Sequence, residues 1–241
     1  MRRRDFIQGI AGSAAAWLLM VRAQGAERVR HIGVLIAAPK DDPEYQPWIG
    51  AFVKALQERD WIDGRNVSFD FHWATANPAE IRKQAAELVA LKPDVILAPG
   101  TGVVGPLTQV THTIPIVFPI IVDPVAGGFA ESLAHPGGNS TGFMLFEYSI
   151  SGKWLELLKQ IAPNVTRVAV FGDPDTPTGP AQFGVIQAVA PSLRMEVSAF
   201  NKRDANEIER AVTAFATSPN GGLILTAGGP ALVRWPALIW A

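Results

Sequence analysis

The sequence predicts an α/β protein made of two Rossmann-like lobes with parallel sheets, the second of which is incomplete. Three observations carry this prediction. Short apolar strands alternate with amphipathic helices, which is the pattern of parallel βα units. The alternation pauses at a turn-rich stretch at residues 135–139 and a crossover at residues 146–151, and then restarts. Five strands precede the crossover and only three follow it, and the sequence ends on an apolar stretch at residues 232–241.

The composition excludes several classes of protein. The chain has no cysteine, which excludes disulfide scaffolds and thiolate chemistry, and 48% of its residues are hydrophobic, which excludes a disordered chain. A formal net charge of -1 offers no basic surface for nucleic acid, so we expect no nucleic-acid partner. With 241 residues the chain suits one large domain or two small lobes. We divide it into a signal peptide, an N-terminal α/β lobe and a partial C-terminal α/β lobe, at residues 1–26, 27–145 and 146–241.

The N-terminus has the pattern of an export signal. Arg3-Arg4-Asp5-Phe6-Ile7 matches the R-R-x-F-I form of a twin-arginine signal, and a weakly hydrophobic run follows at residues 9–21. That run is shorter than the roughly 20 residues that a membrane-spanning helix needs. We therefore expect export to the periplasm by the twin-arginine route, with cleavage near Ala23.

The first lobe begins with two strands that a helix connects. The strand at residues 31–36 is a short apolar run. Pro47 suits the first turn of the helix that follows, and we assign Trp48, on the apolar stripe of this helix, to the core. Residues 67–73 alternate apolar and polar side chains, as a half-buried strand does.

The next helix has a well-defined start. Asn77 as N-cap, Pro78 at the first helical position and Glu80 at the third predict a helix that begins here. A third strand at residues 94–98 and a third helix at residues 100–112 complete the βα pattern of this part of the chain.

The fourth strand is interrupted by prolines. Pro115 and Pro119 fall within the apolar run at residues 114–122. Because proline cannot donate a ladder hydrogen bond, they predict either an edge strand or an irregular strand end. A fifth strand follows at residues 140–145.

The βα pattern restarts in the second lobe. We predict helices at residues 152–161, 180–189 and 205–217 and strands at residues 167–171, 195–200 and 223–226.

A glycine-rich loop is the most distinctive candidate site. Residues 100–105 read G-x-G-x-x-G after a strand and at the start of a helix, and Asp123 ends the next strand. The pattern alone matches a dinucleotide fingerprint. However, that fingerprint normally follows the first strand of its unit, whereas this loop follows the third, and Pro106 stiffens it. Such a loop is also a general cradle for anions and polar ligands, and plain turn chemistry is the third interpretation.

Two other patterns are not expected to carry catalysis. Residues 138–142 match the G-x-S-x-G nucleophile elbow, but the turn precedes the serine and a strand follows it, which reverses the order that a hydrolase needs. The four histidines are scattered without metal-ligand spacing. We therefore predict no catalytic residue, no metal site, no cofactor and no enzyme activity.

A polar loop and two tyrosines are further candidates. Residues 172–178 follow the first strand of the second lobe and include Asp173 and Thr176. This loop is either an ordinary helix N-terminus or a polar rim at the carboxyl end of a sheet, where open α/β folds bind ligands. Tyr45 and Tyr148 are amphipathic and lie next to turns, so they are well placed to cover a ligand.

Several of these segments together resemble a known family, the ABC transporter substrate-binding proteins of the tryptophan/tyrosine-binding type. The most specific is the segment His135-Pro136-Gly137-Gly138-Asn139-Ser140-Thr141-Gly142. The other segments that carry the resemblance are the twin-arginine start, His31-Ile32-Gly33-Val34-Leu35, Asp63-Gly64-Arg65-Asn66-Val67, Ile114-Pro115-Ile116-Val117-Phe118 and Asp123-Pro124-Val125.

The resemblance implies a type I periplasmic binding protein with a C-terminal truncation. Members of this family have two lobes joined by a hinge and hold a small ligand in the cleft between them. It implies that Thr101, Gly102, Asp123, Asp173 and Thr176 are cleft residues. The expected partners are a small-molecule ligand and an ABC permease in the inner membrane, and we expect the binding protein itself to be a monomer.

The predicted function is therefore the capture of a small polar solute, such as an amino acid or another carboxylate, for an ABC importer. If the ligand is an acid, the loop at residues 101–105 is the candidate site for its anion. The alternative from a different class is an exported NAD(P)-dependent oxidoreductase that uses the G-x-G-x-x-G loop. We find no Lys/His or Tyr/Lys pair that would supply its catalysis.

Overall fold

The computed structural model of the chain describes residues 28–75, 77–174, 176–200 and 205–226. These residues form two separate parallel sheets flanked by helices, which confirms the predicted α/β fold with two lobes. We call the part with the five-stranded sheet lobe one and the part with the three-stranded sheet lobe two. The predicted signal peptide, its cleavage site near Ala23 and the apolar stretch at residues 232–241 lie outside the described residues.

Lobe one is built from five parallel strands in the order β2-β1-β3-β4-β5. Because all strands run the same way, their carboxyl ends meet at one edge of the sheet, where open α/β folds bind ligands. Its elements are β1 (Arg30–Ile36), α1 (Tyr45–Gln57), β2 (Val67–Trp73), α2 (Pro78–Ala90), β3 (Val95–Leu97), α3 (Thr101–Val110), β4 (Ile116–Ile121) and β5 (Ser140–Met144).

Helix α1 begins at Tyr45, so Pro47 lies in its first turn, as the sequence predicts. The reason is Asp42, whose carboxylate accepts hydrogen bonds from the backbone N–H groups of Glu44 (2.9 Å) and Tyr45 (3.3 Å). These bonds satisfy donors that would otherwise lack a partner at a helix start. Asp42 therefore organises the start of α1 from outside the helix.

Helix α2 begins as predicted. The side chain of Asn77 accepts hydrogen bonds from the backbone N–H groups of Ala79 (2.9 Å) and Glu80 (3.4 Å), with Pro78 at the first helical position. The helix then packs closely on β1, since a β-carbon at Gly33 would lie 2.8 Å from the side chain of Leu88.

Strand β4 lies inside the sheet, between β3 and β5, so the prediction of an edge strand is wrong. The alternative prediction, an irregular strand end, is confirmed. The register of the β4–β5 pair shifts around Pro119, and Pro115 precedes the strand. Past Pro119 the carbonyl of Ile120 accepts a hydrogen bond from the backbone N–H of Gly100 at 2.8 Å. The irregular end thereby joins β4 to the start of α3.

The two faces of the lobe-one sheet are covered unequally. Helices α2 and α3 cover one face, and the apolar side chains there form one large buried cluster. On the opposite face, the buried cluster is small and involves α1 with β1 and its neighbours. Phe143 and Leu145, at the end of the sheet that α1 does not reach, are 73% and 56% exposed. This face is therefore covered mainly over β1 and β2.

Lobe two has the strand order β7-β6-β8, again all parallel. Two helices start earlier than predicted: the first begins within the predicted crossover and the second two residues before Pro180. The elements are α4 (Ile150–Ile161), β6 (Arg167–Phe171), α5 (Thr178–Val189), a short 3-10 turn (Ala190–Leu193), β7 (Glu196–Phe200), α6 (Ala205–Ala216) and β8 (Gly221–Leu225).

Candidate functional site

The candidate site lies where the N-termini of α3 and α5 meet. Thr101 is the first residue of α3 in lobe one, and Thr178 is the first residue of α5 in lobe two. The hydroxyl of Thr178 donates a hydrogen bond to the hydroxyl oxygen of Thr101, with 3.4 Å between the two oxygens. Each helix follows the carboxyl end of a central strand of its sheet. The contact therefore brings together the carboxyl edges of the two sheets, which is where open α/β folds bind ligands.

On the lobe-one side, the glycine-rich loop leaves open space in front of the helix. Gly100 has a positive φ of 92° and turns the chain from β3 into α3. A β-carbon at Gly100 or Gly102 would meet no other atom within 4 Å. The first backbone N–H groups of a helix have no intrahelical partner, and the helix dipole is positive there. The loop can therefore accommodate a negatively charged group.

The geometry of this loop does not favour a dinucleotide. In that fingerprint the third glycine allows a close helix–sheet approach. Here a β-carbon at Gly105 would make only ordinary contacts, at 3.7 Å from the ring of Phe129. The loop also follows β3, which lies in the middle of the sheet, and not the first strand. Close packing of the helix on the sheet therefore does not require glycine at position 105, as it would in a dinucleotide fingerprint.

On the lobe-two side, a tight loop precedes α5. The hydroxyl of Thr176 donates a hydrogen bond to the carbonyl of Asp173 at 3.3 Å. A β-carbon at Gly179 would lie 2.2 Å from that same carbonyl, so only glycine allows the loop to fold this closely on the helix. Thr178 and Gln182, one helical turn apart, are both buried beneath the loop. The hydroxyl hydrogen of Thr176 is therefore already used in a hydrogen bond within its own loop.

Tyr148 lies in the crossover between the lobes and is only 6% exposed. Its hydroxyl oxygen has no hydrogen-bond partner of acceptable geometry among the described residues. Burial raises the pKa of the Tyr148 phenol and the charge of Asp123 adds to this increase, whereas the nearby Thr178 hydroxyl opposes it. The phenol therefore stays protonated at neutral pH, and it can donate a hydrogen bond to a ligand.

Asp123 holds Tyr148 in place. One carboxylate oxygen of Asp123 accepts a hydrogen bond from the backbone N–H of Tyr148, and the other accepts one from Ala126, both at 3.0 Å. Asp123 itself has a positive φ of 42°, which is uncommon for a residue other than glycine. Its carboxylate is therefore committed to the connection between β4 and the crossover.

Tyr45 lies apart from these residues, on the face of lobe one that α1 covers. It contacts Trp48 edge to face, with 5.3 Å between the ring centroids. Burial raises the pKa of the Tyr45 phenol, and the nearby charges of Glu44 and Asp42 raise it further. Trp48 is 45% exposed, so its assignment to the core is wrong. The cause is the position of α1, which turns Tyr45 and Ile49 toward the sheet.

The structure thus places the predicted residues in two groups. Thr101, Gly102, Asp123 and Tyr148 lie around the meeting point of the two helices, next to the loop that contains Asp173 and Thr176. Tyr45 lies at the start of α1, on the side of that helix that faces the sheet. The sequence reasoning missed Thr178. A signal was present, because the pair Thr178-Gly179 repeats the pair Thr101-Gly102 at the start of a helix that follows a strand.

Other motifs have no site geometry. Ser140, the serine of the G-x-S-x-G pattern, is 3% exposed and donates its hydroxyl proton to the carbonyl of Phe129. Within the described ranges, no group of three potential metal ligands occurs. None of the helices described above is long and apolar enough to cross a bilayer.

The chain is similar to known proteins in sequence and in fold. The chain is similar to a tyrosine-binding protein of Clostridioides difficile, with 28% identity over 163 residues; the match covers 68% of this chain and 47% of the relative. The chain therefore spans about half the length of that curated relative.

Two solved structures share the fold. One is the ABC domain from Streptococcus pneumoniae in complex with L-Trp, with a TM-score of 0.74 and 23% identity; the match covers 88% of this chain and 70% of that one. The other is a ligand-free, open substrate-binding protein from Clostridium difficile that has adhesive properties, with a TM-score of 0.52 and 27% identity. That match covers 78% of this chain and 62% of the other.

A family model covers most of the described chain. The model for ABC transporter substrate binding proteins matches residues 33–228, which include both lobes. These matches are to solute-binding proteins with the type I periplasmic fold, and they give no support to the oxidoreductase alternative. The chain belongs to the family of ABC transporter substrate binding proteins.

Proposed function

We propose that this protein is the solute-capturing component of an ABC importer, and that it binds an amino acid in the cleft between its lobes. The single observation that carries the proposal is the meeting of two helix N-termini at Thr101 and Thr178, one from each lobe, with 3.4 Å between the hydroxyl oxygens. Two positive helix ends that face each other favour an anion between them, and a carboxylate is the anion that amino acids offer.

Each side of the cleft has a distinct role in this proposal. The backbone N–H groups of Thr101 and Gly102 and the Thr101 hydroxyl bind the carboxylate. The Tyr148 hydroxyl donates a hydrogen bond to the ligand. Asp123 positions Tyr148, because its carboxylate accepts a hydrogen bond from the Tyr148 backbone N–H at 3.0 Å. Asp173 and Thr176 form the rim on the other lobe, and their loop fixes the direction of α5.

Capture follows from contacts that require both lobes. A ligand that binds the open and closed forms equally well would not change their ratio, so closure needs contacts to both lobes at once. A carboxylate that contacts the N-termini of both α3 and α5 provides such contacts, because it neutralises two helix ends that otherwise repel each other. The closed form is then the one that the permease recognises.

The proposed setting is the periplasm. The protein would arrive there by the twin-arginine route after cleavage near Ala23, and it would deliver its ligand as a monomer to a permease in the inner membrane. Family membership supports the transport role. The tyrosine-binding relative and the structure with bound L-Trp support an amino acid as the ligand.

Isothermal titration calorimetry with single L-amino acids tests the proposal. We expect at least one of them to bind with a dissociation constant in the micromolar range or below. The decarboxylated amine of the same compound should bind at least tenfold more weakly, because it lacks the anion. If no amino acid binds, or if the amine binds equally well, the proposal is wrong.

A further inference from the structure

The turn that leads into β8 carries the pair Asn220-Gly221 on the surface of lobe two. Both residues are exposed, and Asn220 has a positive φ of 60°. Asparagine adopts this left-handed conformation more readily than most residues, because its short polar side chain can bond locally. Within the described ranges, no hydrogen bond engages the Asn220 carboxamide. Its side-chain carbon, Cγ, is therefore accessible to a neighbouring nucleophile.

The backbone nitrogen of Gly221 faces away from β6. In the sheet as described, β8 is an edge strand that pairs with β6, and Arg167 lies opposite Gly221 in their parallel register. The backbone N–H of Arg167 donates to the carbonyl of Asn220 at 3.2 Å. In a parallel pair, a residue bonds to the two neighbours that flank its partner, so the partner's own N–H points outward. The Gly221 nitrogen is therefore not committed to the β6–β8 ladder.

Packing favours glycine at position 221. A β-carbon at Gly221 would lie 2.8 Å from the ring of Phe215. The guanidinium of Arg167 covers the same ring, with 4.5 Å from Cζ to the ring centroid, and donates to the carbonyl of Ser218 at 3.2 Å. This double contact of Arg167 restrains the ring and the turn together. The residue after Asn220 therefore has no side chain, and such a residue hinders attack on the Asn220 carboxamide least.

We propose that Asn220 is a site of spontaneous covalent modification, in which its side-chain amide is lost as ammonia. The backbone nitrogen of Gly221 attacks Cγ of Asn220 and gives up its proton to solvent base. The bond from Cγ to Nδ2 breaks, and ammonia leaves with a proton from solvent. Water then opens the cyclic imide at either of its carbonyls, which yields aspartate or isoaspartate. Overall, water is consumed and ammonia is released, without oxidation or reduction and without any dependence on the ligand.

The two products affect β8 differently. The carbonyl of Asn220 accepts hydrogen bonds from the backbone N–H groups of Thr166 (3.0 Å) and Arg167 (3.2 Å). Aspartate leaves the backbone unchanged and keeps both bonds. Isoaspartate routes the backbone through the side chain, so this carbonyl becomes a free carboxylate that is no longer attached to Gly221. The isoaspartate form therefore loses the link that aligns the start of β8 with β6.

Peptide mass spectrometry of the folded protein, after incubation at mildly alkaline pH, tests the proposal. Trypsin releases Asn220 in the peptide 211–234, which contains no other asparagine and no aspartate. The control is Asn164 in the peptide 160–167, because it is also exposed but precedes Val165. A β-branched side chain hinders ring closure, so Asn220 should lose its amide at least about tenfold faster than Asn164. Equal rates, or a faster loss at Asn164, would overturn the proposal.

The nature of the products gives a second test. Attack by Gly221 yields both aspartate and isoaspartate in the peptide 211–234, which an isoaspartyl methyltransferase assay distinguishes. Aspartate without isoaspartate would mean direct hydrolysis, and the inference would be wrong. Asn220→Gln forms the corresponding ring much less readily and should keep its amide under the same conditions. The incubated protein should melt at a lower temperature than fresh Asn220→Asp, and equal melting temperatures would contradict the weakened start of β8.

Discussion

The hydroxyl oxygens of Thr101 and Thr178 lie 3.4 Å apart, although the two residues are separated by 77 positions in the sequence. Each residue begins a helix that follows a central strand of its own sheet. The contact therefore joins the two lobes at the edges where their strands end. It also places two helix N-termini against each other, an arrangement that is unfavourable without a negative charge between them.

Thr101→Pro should abolish ligand binding without unfolding lobe one. Proline is tolerated at the first position of a helix, and Gly100, with ψ of 149°, already has the extended ψ that a residue before proline prefers. The variant loses both the backbone N–H and the hydroxyl at this position. We expect at least a tenfold loss of affinity by calorimetry and an unchanged circular dichroism spectrum. Thr101→Ser keeps both groups and serves as the control. Unchanged affinity in Thr101→Pro would remove this loop from the site.

Tyr148→Phe should weaken ligand binding without lowering the stability of the ligand-free protein. The Tyr148 hydroxyl is buried without a hydrogen-bond partner of acceptable geometry among the described residues. Its removal should therefore leave the free energy of unfolding of the ligand-free protein unchanged or raise it by about 1 kcal/mol, as urea titration would measure. The affinity for the ligand should fall about tenfold, because the phenol can no longer donate a hydrogen bond to it. If the ligand-free variant instead loses stability, the Tyr148 hydroxyl has a structural role.

Gly142→Ala should disrupt the β4–β5 pair. A β-carbon at Gly142 would lie 1.9 Å from the carbonyl oxygen of Phe118, and a backbone atom cannot give way as a flexible side chain does. We expect a loss of about 3 kcal/mol in the free energy of unfolding, at the upper end of overpacking costs. Gly50→Ala is the control, since a β-carbon there meets nothing within 4 Å, and the helix should gain about 0.5–1 kcal/mol. Equal stability of the two variants would contradict this view of β5.

Asp94→Asn should lower the melting temperature in a pH-dependent way. The pKa of Asp94 is lowered mainly because its carboxylate accepts a hydrogen bond from the backbone N–H of His31 at 2.9 Å. Desolvation opposes this shift, whereas the nearby side chains of Arg30 and Arg28 lower the pKa further. A lowered folded-state pKa means that the stabilisation is complete above the unfolded pKa of about 3.9 and is lost as pH falls through the folded value. The difference between the two proteins should thus be constant from pH 6 to 8 and shrink below about pH 4.

Differential scanning fluorimetry across this pH range would measure the effect. Asp41→Asn, on the exposed loop before α1, is the control and should show no such trend. A difference that grows toward low pH would show that Asp94 does not stabilise the link between β1 and the start of β3 in its charged form.

The order of helices and strands could be predicted because it depends on local patterns. Asn77 and Pro78 define a helix start through groups within three residues of each other, and the structure has that start. The errors arose where a distant group intervened. The position of β4 between two other strands overrode the edge-strand signal of Pro119.

The candidate site was predicted in part for the same reason. The glycine-rich loop at residues 100–105 is a continuous motif, so its geometry at a helix N-terminus follows from sequence. Thr178 was missed because its importance comes from a partner in the other lobe. Tyr45 and Tyr148 had the same local signal, an amphipathic ring next to a turn, yet the fold separated them.

The sequence by itself determined the βα alternation, the division into two sheets and the family, since each depends on residues that are neighbours in the chain. Only the tertiary structure decided that Thr101 meets Thr178, that Tyr148 lies between the lobes and that Tyr45 faces the sheet from the start of α1. These relationships depend on how two sheets approach each other and how far one helix extends over a sheet. Packing between distant segments sets both, and no local pattern of residues encodes it.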